Sequence, residues 1–196
     1  VVLVGPASSD RKAKAEELAA EHGYTVIPPY DDAGIIAGQA TCGLEILEQL
    51  GLIAAEGEAP PSAPGAGDVV VVTPVSGGGL LSGVATAVKL GMEGTAGPRV
   101  EVWGAEPELA ADAKESFETK QLVEWPAEMT TRTISDGLRT QSVGRLNFAH
   151  ILRFVDGIVT VSEDQILAAM RVMLAATGLL AEPSGAVTLA AALYRQ

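Results

Sequence analysis

Cysteine is almost missing from this sequence: Cys42, between Thr41 and Gly43, is the single one. One thiol allows neither an intrachain disulfide nor a cysteine-built metal knuckle, and a reducing, cytoplasmic compartment fits best. His22 and His150 lie far from it in sequence, in stretches of helical period, so Cys42 reads as a small buried hydrophobe without a chemical role. Basic charge is scarce as well. Thirteen Lys and Arg face 25 Asp and Glu, a formal net charge of −12 with no Lys/Arg cluster. Such a surface repels phosphate backbones and anionic lipid, which argues against nucleic-acid and membrane-surface roles. Nor is any run apolar enough to span a bilayer, since the longest, Ile166 to Ala181, contains Arg171 and Gly178. Val1-Val2-Leu3-Val4 has neither an initiating methionine nor a charged leader, and reads as the inside of a buried strand whose chain starts further upstream.

What the sequence does have is apolar content, 47% of 196 residues, enough for one substantial core with room for a small second lobe. Apolar runs alternate with stretches of helical period, the signature of strands joined by crossover helices. The expected fold is α/β with three αβα layers and a mainly parallel sheet. Val1–Val4 and Tyr24–Ile27 read as strands around a helix from Asp10 to His22 that stops at Gly23, one βαβ unit. A long helix is expected from Asp32 to about Ala54, with Gly38 and Gly43 weakening its middle. A solvent loop follows over Glu56–Gly67, rich in Pro, Gly and Ala.

Further along, Asp68–Thr73 reads as a buried strand, Leu80–Leu90 as a helix and Arg99–Trp103 as the next strand. Glu106-Pro107 is expected to open a helix reaching about Thr119. Lys120–Thr140 has weak periodicity and is expected to wrap the surface. A helix near Val143–Leu152 and a strand at Gly157–Val161 lead to Ser162-Glu163-Asp164-Gln165, a capping box opening a helix to about Ala176. Glu182-Pro183-Ser184-Gly185 begins the last helix.

Ser76-Gly77-Gly78-Gly79 falls between a strand and a helix. Successive glycines let main-chain N–H groups converge on an anion without interference from Cβ atoms, and a helix N-terminus adds partial positive charge. A phosphate group suits such a turn, with Ser76 adding a donor. The pattern is not a Walker loop, because no Gly-Lys-Ser/Thr follows. Gly77, Gly79 and Gly83 approximate the dinucleotide-binding glycines, and Glu106 sits where a ribose-binding carboxylate would. On this window an NAD(P)-binding module, another phosphate-bearing coenzyme and a plain tight turn with close helix packing all remain open.

Several separated segments resemble the serine/threonine dehydratases and serine racemases. Pro29-Tyr30-Asp31-Asp32, Ile36-Ala37-Gly38-Gln39 and Gly43-Leu44-Glu45-Ile46 look like the stretch before that family's glycine loop. Val75 to Gly83, Ala105-Glu106-Pro107, Ile134 to Gly137, Val161 to Asp164 and Glu182 to Ala186 follow in the family's order. The resemblance implies the tryptophan-synthase-β-like fold, fold type II of pyridoxal-phosphate enzymes. Residues 1–30 would be a remnant of the small lobe and residues 31–196 the large lobe.

By the same resemblance Ser76, Gly77, Gly78, Gly79 and Leu80 bind the phosphate of pyridoxal 5'-phosphate, and Tyr30 and Gly137 approach its ring. Ser76 stands where the family often has glycine. Glu106, Asp112 and the main-chain oxygen of Ala110 match a divalent-cation site, and oxygen ligands suit Mg²⁺ or Ca²⁺. Glu182 is implied as an active-site neighbour.

The family's catalytic lysine, which forms a Schiff base with the coenzyme and handles the substrate's α-proton, has no counterpart. Lys12, Lys14, Lys89, Lys114 and Lys120 all stand outside its sequence context. The implied intact protein is a homodimeric dehydratase, converting a hydroxy-amino acid to a 2-oxo acid and ammonia, or a racemase. This stretch alone is expected to be inactive. A non-catalytic regulatory relative of the same fold is the other alternative.

Overall fold

The computed structural model describes residues 1–54 and 67–194, so the expected loop over Glu56–Gly67 lies, apart from Gly67, outside the described residues. Strands β1 (Val69–Pro74), β2 (Val100–Pro107) and β3 (Gly157–Val161) form a wholly parallel sheet in the order β1-β2-β3. Alternate side chains leave on opposite faces. Val71, Val100, Val102 and Ile158 enter one core with Leu81, Val84 and Val88 of α3 (Gly79–Met92) and Ile151 of α6 (Arg145–Phe154). Ala105 and Val161 enter another with Ile166 and Ala169 of α7 (Glu163–Thr177) and Ala186, Val187 and Ala190 of α8 (Pro183–Tyr194). Helices cover both faces, which gives the three-layer arrangement expected for a parallel sheet.

Helix α2 (Ala33–Gln49) begins where Asp32 Oδ1 accepts from the amides of Gly34 at 2.8 Å and Ile35 at 3.2 Å. It ends five residues before the expected Ala54, at Leu50-Gly51, where Gly51 turns to φ +65°. The glycines that weaken its sequence signal have a packing cause. A Cβ on Gly43 would lie 2.9 Å from the Val84 carbonyl oxygen, and one on Gly83 would lie 2.5 Å from that of Ile36, so α2 and α3 cross with their backbones nearly touching. Ile36, Gly43 and Leu47 occupy the inner stripe, at spacings of seven and four. Cys42, one residue off that stripe, is exposed, not buried as expected.

Three other expectations are corrected. Helix α1 (Ser8–His22) stops on a left-handed Gly23 as read, but Val1–Val4 and Tyr24–Ile27 form no strands. No neighbouring strand among the described residues takes their main-chain groups, and Val1, Leu3 and Ile27 stand in solvent. The βαβ unit is therefore not formed. Glu106-Pro107 does not open a helix. Both residues pair with Thr160 and Val161 to finish β2, and a 3-10 turn over Glu108–Ala110 precedes α4 (Asp112–Thr119).

Lys120–Thr140, which includes the short α5 (Ala127–Thr130), is not a simple surface wrap, since it buries Thr130, Thr133, Ser135 and Leu138. Polar bonds hold it in place of apolar period: Glu163 accepts from the Thr133 hydroxyl and the Ile134 amide, each at 2.7 Å, and Arg139 donates to the Thr133 carbonyl. Among the described residues, no helix is long and apolar enough to cross a membrane.

Candidate functional site

At the carboxyl end of β1 the chain passes through Val75 and Ser76 into the glycine turn that starts α3. This is the usual place for a ligand on a parallel sheet. The amides of Ser76, Gly77, Gly78 and Gly79 have no hydrogen-bond acceptor among the described residues, as expected for an anion cradle at a helix N-terminus. Gly78 stands at φ +90° and forms the N-cap of α3. Its neighbour Gly77 is covered by an aromatic ring, because any Cβ added there would overlap the ring of Tyr30. Ser76 Oγ and Thr140 Oγ1 share a hydrogen bond of 3.1 Å.

These residues open onto a cleft of about 1250 Å³. Tyr30, Ser76, Gly77, Gly78, Gly79, Leu80 and Gly137, the seven positions read as contacting a coenzyme, all line it. The Gly137 amide donates to Ser184 Oγ at 3.0 Å, so the start of α8 fixes this wall. Arg11, Lys12 and Arg145 also line the cleft, balanced in number by Glu16, Asp31 and Glu124. Burial pushes the Tyr30 phenol above its ordinary pKa, with Asp31 and Asp112 adding to the effect and Arg11 opposing it.

Two residues that the sequence alone did not single out shape the same site. Asp31, at φ +50°, accepts through Oδ1 from the Leu146 amide at 2.7 Å and so caps the start of α6. Asn147, wholly buried, donates through Nδ2 to the Gly77 carbonyl at 2.7 Å. Neither has a sequence signal, since each acts on a partner 115 or 70 residues away.

Glu106 and Asp112 lie outside the cleft lining and are each 1% exposed. The Glu106 carboxylate accepts from the amides of Ala113 at 3.2 Å and Lys114 at 2.8 Å. Buried and outside the cleft lining, it is not placed to meet the ribose of a dinucleotide held at the glycine turn. Burial first, and then the charge of Asp112, raises its pKa well above the carboxylate range, against the pull of those two amides. Asp112 is pushed up to about 7, chiefly by burial, with its own main-chain hydrogen bond opposing and Glu115 adding to the rise.

Asp112 Oδ2 has no hydrogen-bond partner. A buried carboxylate oxygen without a partner is costly unless it is protonated or paired. Among the described residues no group of three or more His, Cys, Asp or Glu side chains could hold a metal, so a cation here would depend on these two and main-chain oxygen. Ala110, in the intervening turn, is buried. Glu182 is exposed and outside the cleft lining, its carbonyl accepting from Gly185 and Ala186 at the start of α8. Of the five lysines only Lys12 lines the cleft, and its ammonium is 3.9 Å from Glu16 on a side chain 79% exposed.

Comparison with known proteins shows the family and the fold. The family model described as pyridoxal-phosphate dependent enzyme matches residues 1–196. An L-threo-3-hydroxyaspartate ammonia-lyase of Saccharomyces cerevisiae is 34% identical, over 96% of this chain and 51% of its own length. The solved structure of a T.th. threonine deaminase is 44% identical with a TM-score of 0.75, covering 92% of this chain and 58% of that one. Maize serine racemase is 32% identical with a TM-score of 0.80, covering 99% and 52%. The chain spans about half the length of the curated relatives it matches.

Proposed function

The chain belongs to the pyridoxal-phosphate-dependent enzymes, in their fold type II branch of ammonia-lyases and racemases, and from that premise we propose that Ser76 to Leu80 hold the coenzyme's phosphate. The observation that carries this reading is the set of unpaired amides at Ser76 to Gly79, opening onto the same cleft as Tyr30 and Gly137. The amides bind the phosphate and the helix start favours its charge. Tyr30 and Gly137 flank the ring and orient it. When bound, the coenzyme supplies an electron sink for the charge left as an amino acid loses its α-proton. The intact protein is then a homodimeric serine/threonine dehydratase or serine racemase acting on a free hydroxy-amino acid, with residues 1–30 belonging to its small lobe and 31–196 to its large lobe.

Glu106, Asp112 and the Ala110 carbonyl would hold Mg²⁺ or Ca²⁺, which would offset two buried negative charges and engage the orphaned Asp112 oxygen. Glu182 would stand near the completed active site. The 196-residue chain, which has no lysine in the family's context, is inactive alone. Equilibrium dialysis with pyridoxal 5'-phosphate and with NADH tests the site, and a coupled assay with L-serine and L-threonine tests the chemistry. Binding of the first ligand, exclusion of the second and no turnover are expected. Tight NADH binding without a pyridoxal-phosphate response would overturn the site, and turnover by the isolated chain would overturn its inactivity.

A further inference from the structure

The Gly77 carbonyl accepts two hydrogen bonds, from the Gly144 amide at 3.0 Å and from Asn147 Nδ2 at 2.7 Å. Both donors come from the start of α6, so the carbonyl is held toward that helix. The peptide that follows is planar and trans, which places the Gly78 N–H on the side opposite the Gly77 oxygen. That N–H therefore points away from α6, and it has no acceptor among the described residues. A flipped peptide would bring N–H against two N–H donors and leave all three unpaired, so the arrangement admits only one orientation.

Asn147 is tied into this corner on several sides. Its main-chain oxygen accepts from Ser82 Oγ at 3.2 Å, and its Cβ lies 3.0 Å from where a Cβ on Gly78 would stand. Its side chain is wholly buried, yet Oδ1 has no partner. The amide thus uses its donor end on the loop and leaves its acceptor end orphaned, an arrangement that packing alone does not call for, since an apolar side chain of similar size would leave nothing unpaired.

Resting on the reading of Gly77 to Gly79 as a phosphate cradle, we infer that Asn147 is a positioning residue, whose Nδ2 fixes the Gly77–Gly78 peptide so that the Gly78 N–H faces the coenzyme's phosphate. It touches neither coenzyme nor substrate. Its effect is confined to the phosphate-dependent part of binding.

Pyridoxine 5'-phosphate and pyridoxine separate that part from the rest, because neither carries an aldehyde that would react with surface lysines. Calorimetric titration of both into the 196-residue chain gives the preference for the phosphorylated form. Asn147→Asp keeps the shape, removes the donor and sets a carboxylate against the Gly77 oxygen. Asn147→Leu removes the donor together with the orphaned acceptor. Each variant is expected to lose about tenfold of the phosphate preference while pyridoxine binding is unchanged, the size expected for one lost hydrogen bond. The leucine variant should melt no lower than the parent. A preference retained in the leucine variant, or lost equally for both ligands, overturns the positioning role. A parent chain with no preference for the phosphorylated form overturns the cradle itself.

Discussion

At the scale of the residue, the tightest constraint on the site is the contact between Gly77 and Tyr30. A methyl group at Gly77 would overlap the Tyr30 ring, and overpacking of this kind costs about 1–3 kcal/mol. Gly77→Ala is therefore expected to lower the unfolding free energy by that amount and to weaken pyridoxine 5'-phosphate binding. The pair in contact should behave non-additively, so Tyr30→Ala placed on Gly77→Ala recovers part of the lost stability. Denaturant titration of both single variants and the double one checks this, and strictly additive losses would show that the ring does not meet the loop. The loop itself was legible in the sequence because its conformational requirement is local: three glycines between a strand and a helix. Asn147 was not, since a buried asparagine within an amphipathic helix looks like any polar residue until Gly77 stands beside it.

At the scale of the element, two helix starts show why some structure is readable and some is not. Ser162 Oγ accepts from the Gln165 amide and Gln165 Oε1 from the Ser162 amide, a reciprocal pair held within four residues and visible as Ser-Glu-Asp-Gln. The start of α6 is capped by Asp31, 115 residues upstream. Its capping residue by position, Gly144, leaves the role open, and any Cβ there would overlap the Asp31 side chain. Both Ser162→Ala and Asp31→Ala are expected to cost about 1 kcal/mol by chemical denaturation. Only Asp31→Ala should also weaken phosphate-ligand binding, because the N-cap Gly144 and Asn147 in the first turn of α6 supply both donors that hold the Gly77 carbonyl. Equal effects of the two on ligand binding would sever the link between α6 and the loop. The expected strands at Val1–Val4 and Tyr24–Ile27 failed for a related reason: a short apolar run forms a strand only beside a partner edge, and no such edge pairs with them among the described residues.

At the scale of the whole molecule, the buried acidic pair Glu106 and Asp112 couples folding to pH. Asp112 titrates at about 7 in the folded chain against an ordinary 3.8, so between those values the folded state holds a proton that the unfolded state releases. Stability from this group is therefore greatest at the acid end of the window and declines as pH rises toward 7, the opposite of a salt-bridged carboxylate. Glu106, raised further by burial and by Asp112, acts in the same direction. The penalty above pH 7 is on the order of 4 kcal/mol for Asp112. In metal-free buffer, Asp112→Asn is expected to be more stable than the parent at pH 8 and to lose most of that advantage at pH 4. A divalent cation held by the pair would reverse the ranking, because it binds the ionised carboxylates and displaces their protons. Added Mg²⁺ or Ca²⁺ should then raise the melting temperature of the parent at pH 8 and leave Asp112→Asn unmoved. If the two proteins melt alike with and without cation across the whole range, the buried acids are neither strained nor a cation site.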